Sequence, residues 1–216
     1  MRSLHAIHDG AHRVHPFTAA LLAVPLYFFM APSLQLFSEY FDVIRSGVMV
    51  DRSVCGYVEK GAGWNTIETA HFTIYVESGI DLGAVKRRLR NDFSFFSRKA
   101  GRGTTEENIA SRLDSIFTQA RDMLDMYPAM PKIRLKIFKS GESLDREYRA
   151  MTGNNHRMKA FYVHDCDMIY TCEEELSDSV IVHETAHAIV DHYYKGIPPP
   201  RISEALASYV DMQLSD

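Results

Sequence analysis

The chain has 216 residues, 46% of them hydrophobic, and its 24 basic and 28 acidic side chains give a formal charge of −4. That length suits one globular domain with an adequate core, and the charge leaves no basic footprint for nucleic acid, which is not expected as a partner. The cysteines, Cys55, Cys166 and Cys172, form no Cys-x-x-Cys pair, so a cysteine-built zinc site is not expected either; a Cys166–Cys172 bridge stays open in an oxidising compartment.

The first element is apolar. Phe17 to Phe37 contains no charged residue, and as a helix it would be about 30 Å long, enough to span a bilayer. Arg2 and Arg13 precede it, whereas Glu39 and Asp42 follow. This charge order predicts the N-terminus inside and the bulk of the chain outside. Residues 1–37 therefore read as a cytoplasmic tail with a membrane anchor, which is the favoured reading, or as a cleaved signal peptide. Ala31 and Ser33 suit a cleavage site, but Pro32 between them does not. The rest is expected to be extracytoplasmic, either anchored or periplasmic or secreted. Residues 38–65, with Gly47, Gly56, Gly61 and Gly63, read as a linker.

A domain is expected over residues 66–216. Thr66 to Val76 alternates and is rich in β-branched and aromatic residues, so 66–77 is predicted as a strand. A helix capped at Asp81 or an adjacent residue and running to about Ala100 carries Leu82, Val85, Leu89, Phe93 and Phe96 at helical spacing; its run Lys86-Arg87-Arg88-Leu89-Arg90 reads as a solvated face. Gly101-Arg102-Gly103 breaks it. Thr104 and Glu107 fit a capping box that opens a helix to about Tyr127. Pro128 and Pro131 end that helix, and Ile133 to Phe138 alternates as a half-exposed strand. A short helix over 143–151 precedes two strands, 160–163 and 168–171, joined by His164-Asp165-Cys166-Asp167 as a hairpin. The order gives an α+β domain with a small mixed or antiparallel sheet.

The densest chemistry comes next. Residues 183–187 read His183-Glu184-Thr185-Ala186-His187 inside a helix predicted from Ser177 to Tyr194. Residues four apart share a helix face, so both imidazoles can reach one metal ion, with Glu184 beside them. The helix is apolar nearly all round and is expected to be buried; buried imidazoles and a carboxylate need partners, and a metal satisfies all three. Lys195-Gly196-Ile197-Pro198-Pro199-Pro200 ends the helix. A second helix then begins near Ile202, with Glu204 in its first turn, where a carboxylate could complete a three-ligand site with one open position. That is the donor set of a catalytic zinc, which activates water while the glutamate takes a proton.

The same letters have a rival reading. Glu184-Thr185-Ala186-His187 is a Glu-x-x-His motif, and Glu68-Thr69-Ala70-His71 repeats it, as in di-iron bundles. The second copy lies in a predicted strand, where positions three apart face opposite sides, so two irons per chain are not expected.

His183-Glu184-x-x-His187 followed by Ile-Ser-Glu204-Ala-Leu-Ala-x-Tyr resembles the gluzincin metallopeptidases, most closely the small bacterial peptidase MA-like domains. The resemblance extends upstream over residues 66–212, with its specific motifs confined to 183–209. It implies a zincin-like fold, one zinc ion per chain held by His183, His187 and Glu204, and Glu184 as general base. It also implies a peptide or protein substrate aligned along the edge of the strand at 168–172. There are departures. Thermolysin-like relatives carry an Asn before the third ligand and an Asp four residues after it, where this chain has Ser203 and Ser208. Support for the histidines is thus unassigned, with Asp191 and Asp211 as candidates by proximity in sequence. For the transition-state donor Tyr209 is preferred over His156, His164, His192 and Tyr193. The expected activity is zinc-dependent peptide hydrolysis. The alternatives are a weak or inactive metallopeptidase-fold binding or assembly module, and a zinc amidase acting on cell-wall peptides.

Overall fold

The alternating segment that reads as one strand at 66–77 is two. In the computed structural model, which describes residues 63–89, 103–196 and 198–215, β1 (Trp64–Glu68) and β2 (Phe72–Glu77) form an antiparallel hairpin. Asp114 breaks the run. Its carboxylate accepts hydrogen bonds from the Thr69 hydroxyl at 2.6 Å, the Ala70 amide at 3.0 Å and the His71 amide at 2.9 Å. A charged acceptor that takes three donors holds a tight turn firmly. The Glu-x-x-His copy at 68–71 therefore spans a hairpin turn, with no helical face to offer a metal.

The predicted helix after Asp81 is described over Leu82–Arg88 (α1), with the Asp81 carboxylate capping Gly83 and Ala84. The remainder of that helix, with Phe93 and Phe96, and residues 1–62, with the apolar segment and most of the linker, lie outside the described residues. Thr104 and Glu107 form the expected reciprocal capping box at the start of α2 (Thr105–Leu124). Next come β3 (Ile133–Phe138), α3 (Gly141–Thr152), β4 (Ala160–Val163), a 3-10 turn (His164–Cys166) and β5 (Met168–Cys172). Two helices, α4 (Asp178–Tyr193) and α5 (Pro200–Ser215), close the chain.

The five strands form one mixed sheet in the order β1-β2-β3-β5-β4. β2, β3 and β5 run parallel, and the outer pairs are antiparallel. With five described helices, this is a mixed α/β architecture. Two expectations fail on strand order. β5 pairs with β3 on one side and β4 on the other, so residues 168–172 offer no free edge to a substrate; the outer strand is β4. β3 is central, so its alternation does not mark a half-exposed strand. Lys136 is buried among α3 and its own sheet face, ion-paired with Glu147 at 2.8 Å and standing over the rings of Trp64, Phe138 and Tyr170 at 5.1, 5.0 and 5.8 Å. The period-2 pattern here separates two buried faces rather than core from water.

One face carries Phe138, Phe161, Met168 and Tyr170 against Leu144, Tyr148 and Met151 of α3. The other carries Phe72, Ile74, Leu135 and Ile169, all fully buried, on the side of α2, whose Phe117 meets Phe72 edge-on. α4 is anchored at its start. Ser177 caps it through the Val180 amide, and buried Arg112 of α2 grips Asp178, with Nε 3.3 Å from Oδ1 and a second bond to Oδ2. Cys166 is disulfide-bonded, with its partner outside the described residues. Cys172 is free and buried, so the Cys166–Cys172 bridge does not form.

Candidate metal centre

α4 is buried along most of its length: Ile181, Val182, Glu184, Ala186, His187 and Ile189 are all enclosed. The chain leaves it through Lys195, which takes a left-handed turn at φ 53°. It re-enters a helix at Pro200, because Pro199 accepts the first amides of α5, Ile202 N at 2.9 Å and Ser203 N at 3.2 Å. Proline suits the first helical position, where no amide donor is needed. The helix thus starts two residues before Ile202, and Glu204 stands in its second turn rather than its first.

The two helices bring His183, His187 and Glu204 together. The Nε2 atoms of the histidines are 3.1 Å apart. Glu204 Oε2 lies 3.5 Å from His183 Nε2, and Oε1 lies 3.3 Å from His187 Nε2. Ligands about 2.0–2.1 Å from a tetrahedral zinc stand about 3.3 Å from one another, so all three separations fit a shared ion. Glu204 Oε1 is buried and accepts no hydrogen bond among the described residues, which is costly for a carboxylate oxygen unless a cation completes it. The donor set of two imidazoles and one carboxylate suits zinc.

Burial alone would lower the basicity of His183. The carboxylates of Glu204 and Glu184 outweigh it, with a further contribution from Asp211, and hold the imidazole above its usual range. Glu184, 3% exposed, follows His183 directly on the helix.

Ser203 turns out to support one of the candidate ligands. Its fully buried side chain sits with Oγ 2.9 Å from His187 Nδ1. With Nε2 turned to a metal, Nδ1 would carry the proton and donate it to the hydroxyl, fixing the ring and its tautomer. The residue that departs from the thermolysin-like pattern therefore fills the supporting role. Of the two acids singled out by proximity, Asp211 contributes charge to His183, whereas Asp191 faces His164, with Oδ2 3.5 Å from Nδ1. Tyr209, five residues after Glu204, lies about 140° around α5 from it.

A second group of imidazoles and carboxylates was missed from sequence. His164 and Asp167 of the β4–β5 turn meet Asp191 and His192 at the end of α4. His192 Nε2 is 2.5 Å from Asp167 Oδ1, Tyr162 donates to the same oxygen at 3.3 Å, and the His164 and His192 rings are 5.8 Å apart. Asp191 holds His164 above its usual basicity, against the opposing effect of burial. The only available signal was the run His164-Asp165-Cys166-Asp167, unusually rich in ionisable groups for a hairpin turn.

No protein-family model, curated protein or solved structure matches the chain.

Proposed function

We propose that the chain is a zinc-dependent metallopeptidase of the gluzincin kind, with His183, His187 and Glu204 as metal ligands and Glu184 as general base. One observation carries this reading: three ligand atoms from two helices converge at mutual distances of 3.1 to 3.5 Å, with Glu184 next to the first of them. When bound, zinc would supply Lewis acidity toward a carbonyl and lower the pKa of a water. The residues of the chain do the remainder. The Glu184 carboxylate takes the proton from the attacking water and hands it to the leaving amine. Ser203 Oγ keeps the His187 ring from rotating. β4 has a strand partner on one side only among the described residues, and it is the strand an extended peptide would join by backbone pairing. An extracytoplasmic location is proposed on two grounds: the uncharged run from Phe17 to Phe37 and the disulfide at Cys166, a bond that persists in oxidising compartments.

The test is incubation of zinc-loaded protein with a peptide library and with cell-wall peptides, comparing wild type with Glu184→Gln. Cleavage of library peptides by the wild type alone supports the reading. Cleavage confined to cell-wall peptides makes the protein an amidase. One bound zinc with no cleavage of either leaves a binding module and overturns the proposal.

A further inference from the structure

The metal cluster occupies one side of α5, and its opposite side has a different character. The described residues include five exposed large hydrophobic side chains, and four of them fall at the end of α4 or on α5: Tyr193 at 41%, Tyr194 at 45%, Ile202 at 46% and Met212 at 37%. At about 100° per residue, Ile202, Leu206 and Tyr209 share one strip of α5, with exposed Gln213 at its far end and Ala205 and Met212 along its margin. Leu206 and Tyr209 are half-buried. The acidic residues of this helix, Glu204 and Asp211, point the other way, toward His183. The strip therefore carries no negative charge. At its end stand two exposed cations, Lys195 and Arg201, and no acid lies between His192 and Ser203.

An apolar strip bordered by tyrosines and by lysine and arginine is the composition of a helix lying in a membrane interface. Aliphatic side chains enter the acyl boundary, amphipathic tyrosine rings sit at headgroup depth, and the cations meet anionic phosphates. The same chain carries the uncharged run from Phe17 to Phe37, long enough to span a bilayer, so a lipid surface is a fitting occupant. We propose that the outward strip of α5, with Tyr193 and Tyr194, is a contact surface for an anionic bilayer, separate from any N-terminal anchor. It holds the two ligand-bearing helices against the membrane, with the metal cluster on the side of α5 that faces away from lipid. This contact does not depend on the chain being a peptidase.

The full chain tests it, carrying Ile202→Cys labelled with an environment-sensitive dye. Cys172 is fully buried and Cys166 is disulfide-bonded, so the new thiol is the reactive site. A label at Ala150→Cys, exposed on α3, is the comparison. The protein is combined with vesicles of phosphatidylcholine alone or mixed with phosphatidylglycerol, with and without brominated acyl chains. The label at position 202 is expected to shift to the blue, to lose iodide quenching and to be quenched by brominated lipid, most strongly with phosphatidylglycerol. The label at position 150 should show none of this, and Lys195→Glu with Arg201→Glu should remove the phosphatidylglycerol dependence. Equal iodide access at both positions in the presence of vesicles overturns the proposal. Protection at position 202 that rises with protein concentration and needs no lipid also overturns it, and assigns the strip to a second copy of the chain.

Discussion

Ser203 Oγ lies 2.9 Å from His187 Nδ1, one residue before the carboxylate whose Oε1 lies 3.3 Å from the same ring's Nε2. One imidazole is thus gripped at both nitrogens by consecutive residues of α5. Ser203→Ala is expected to leave the fold intact and to weaken zinc binding by roughly 10–100-fold, the usual cost of losing such a partner. Titration against a chromophoric chelator measures it. Unchanged affinity would show that packing alone orients the ring.

Removal of Glu204 has a different signature. Glu204→Ala deletes a ligand, so stoichiometric zinc should be lost, whereas Glu184→Gln should retain one zinc per chain. Metal analysis after gel filtration separates the two. Two irons per wild-type chain would contradict the ligand set altogether.

Zinc binding should also depend on pH. The carboxylates of Glu204 and Glu184 hold His183 above its usual basicity despite burial, and zinc must displace that proton. Affinity is therefore expected to be level in alkaline buffer and to fall as pH drops, with the fall beginning above the ordinary imidazole value of about 6.5. Proton release on binding, followed by calorimetry in buffers of different ionisation enthalpy, should rise over the same interval.

The His164–Asp191 pair gives a second pH effect, this time on stability. Asp191 raises the folded-state basicity of His164 above that of the unfolded chain. Such a group stabilises the fold fully below the unfolded value of about 6.5, and the contribution fades as pH rises through the folded value. His164→Asn should therefore be less stable than wild type at pH 5.5 and approach it in alkaline buffer. Denaturant unfolding at several pH values checks this, and a gap that widens with pH would refute it.

Arg112 and Asp178 are both buried and paired across α2 and α4. Breaking a buried pair from one side strands the other charge, so Arg112→Met should cost about 3–5 kcal/mol. Adding Asp178→Leu should recover part of the loss. Urea unfolding measures both.

What could be read from sequence follows the range of the interaction. The capping box at Thr104, the cap near Asp81 and the course of α4 depend on residues within a turn or two, and they are where the pattern puts them. His183, His187 and Glu204 are legible for the same reason: a helix periodicity and a proline turn place them. The split of 66–77 into two strands is not, because it depends on Asp114, separated by 43 to 45 positions from the groups it binds. Strand order is equally non-local, which is why β5 was expected at an edge it does not have. Ser203 was visible, but only the 2.9 Å approach turns a missing amide into a working hydroxyl.

All the groups that meet at the metal cluster come from one helical hairpin. His187 and Ser203 are 16 positions apart, whereas Arg112 and Asp178, which tie that hairpin to the rest of the fold, are 66 apart. Closing a short loop costs less entropy than closing a long one. The candidate metal-binding unit is therefore closed by a short stretch of chain, and a bound metal would tie α4 to α5 as the rest of the protein loosens.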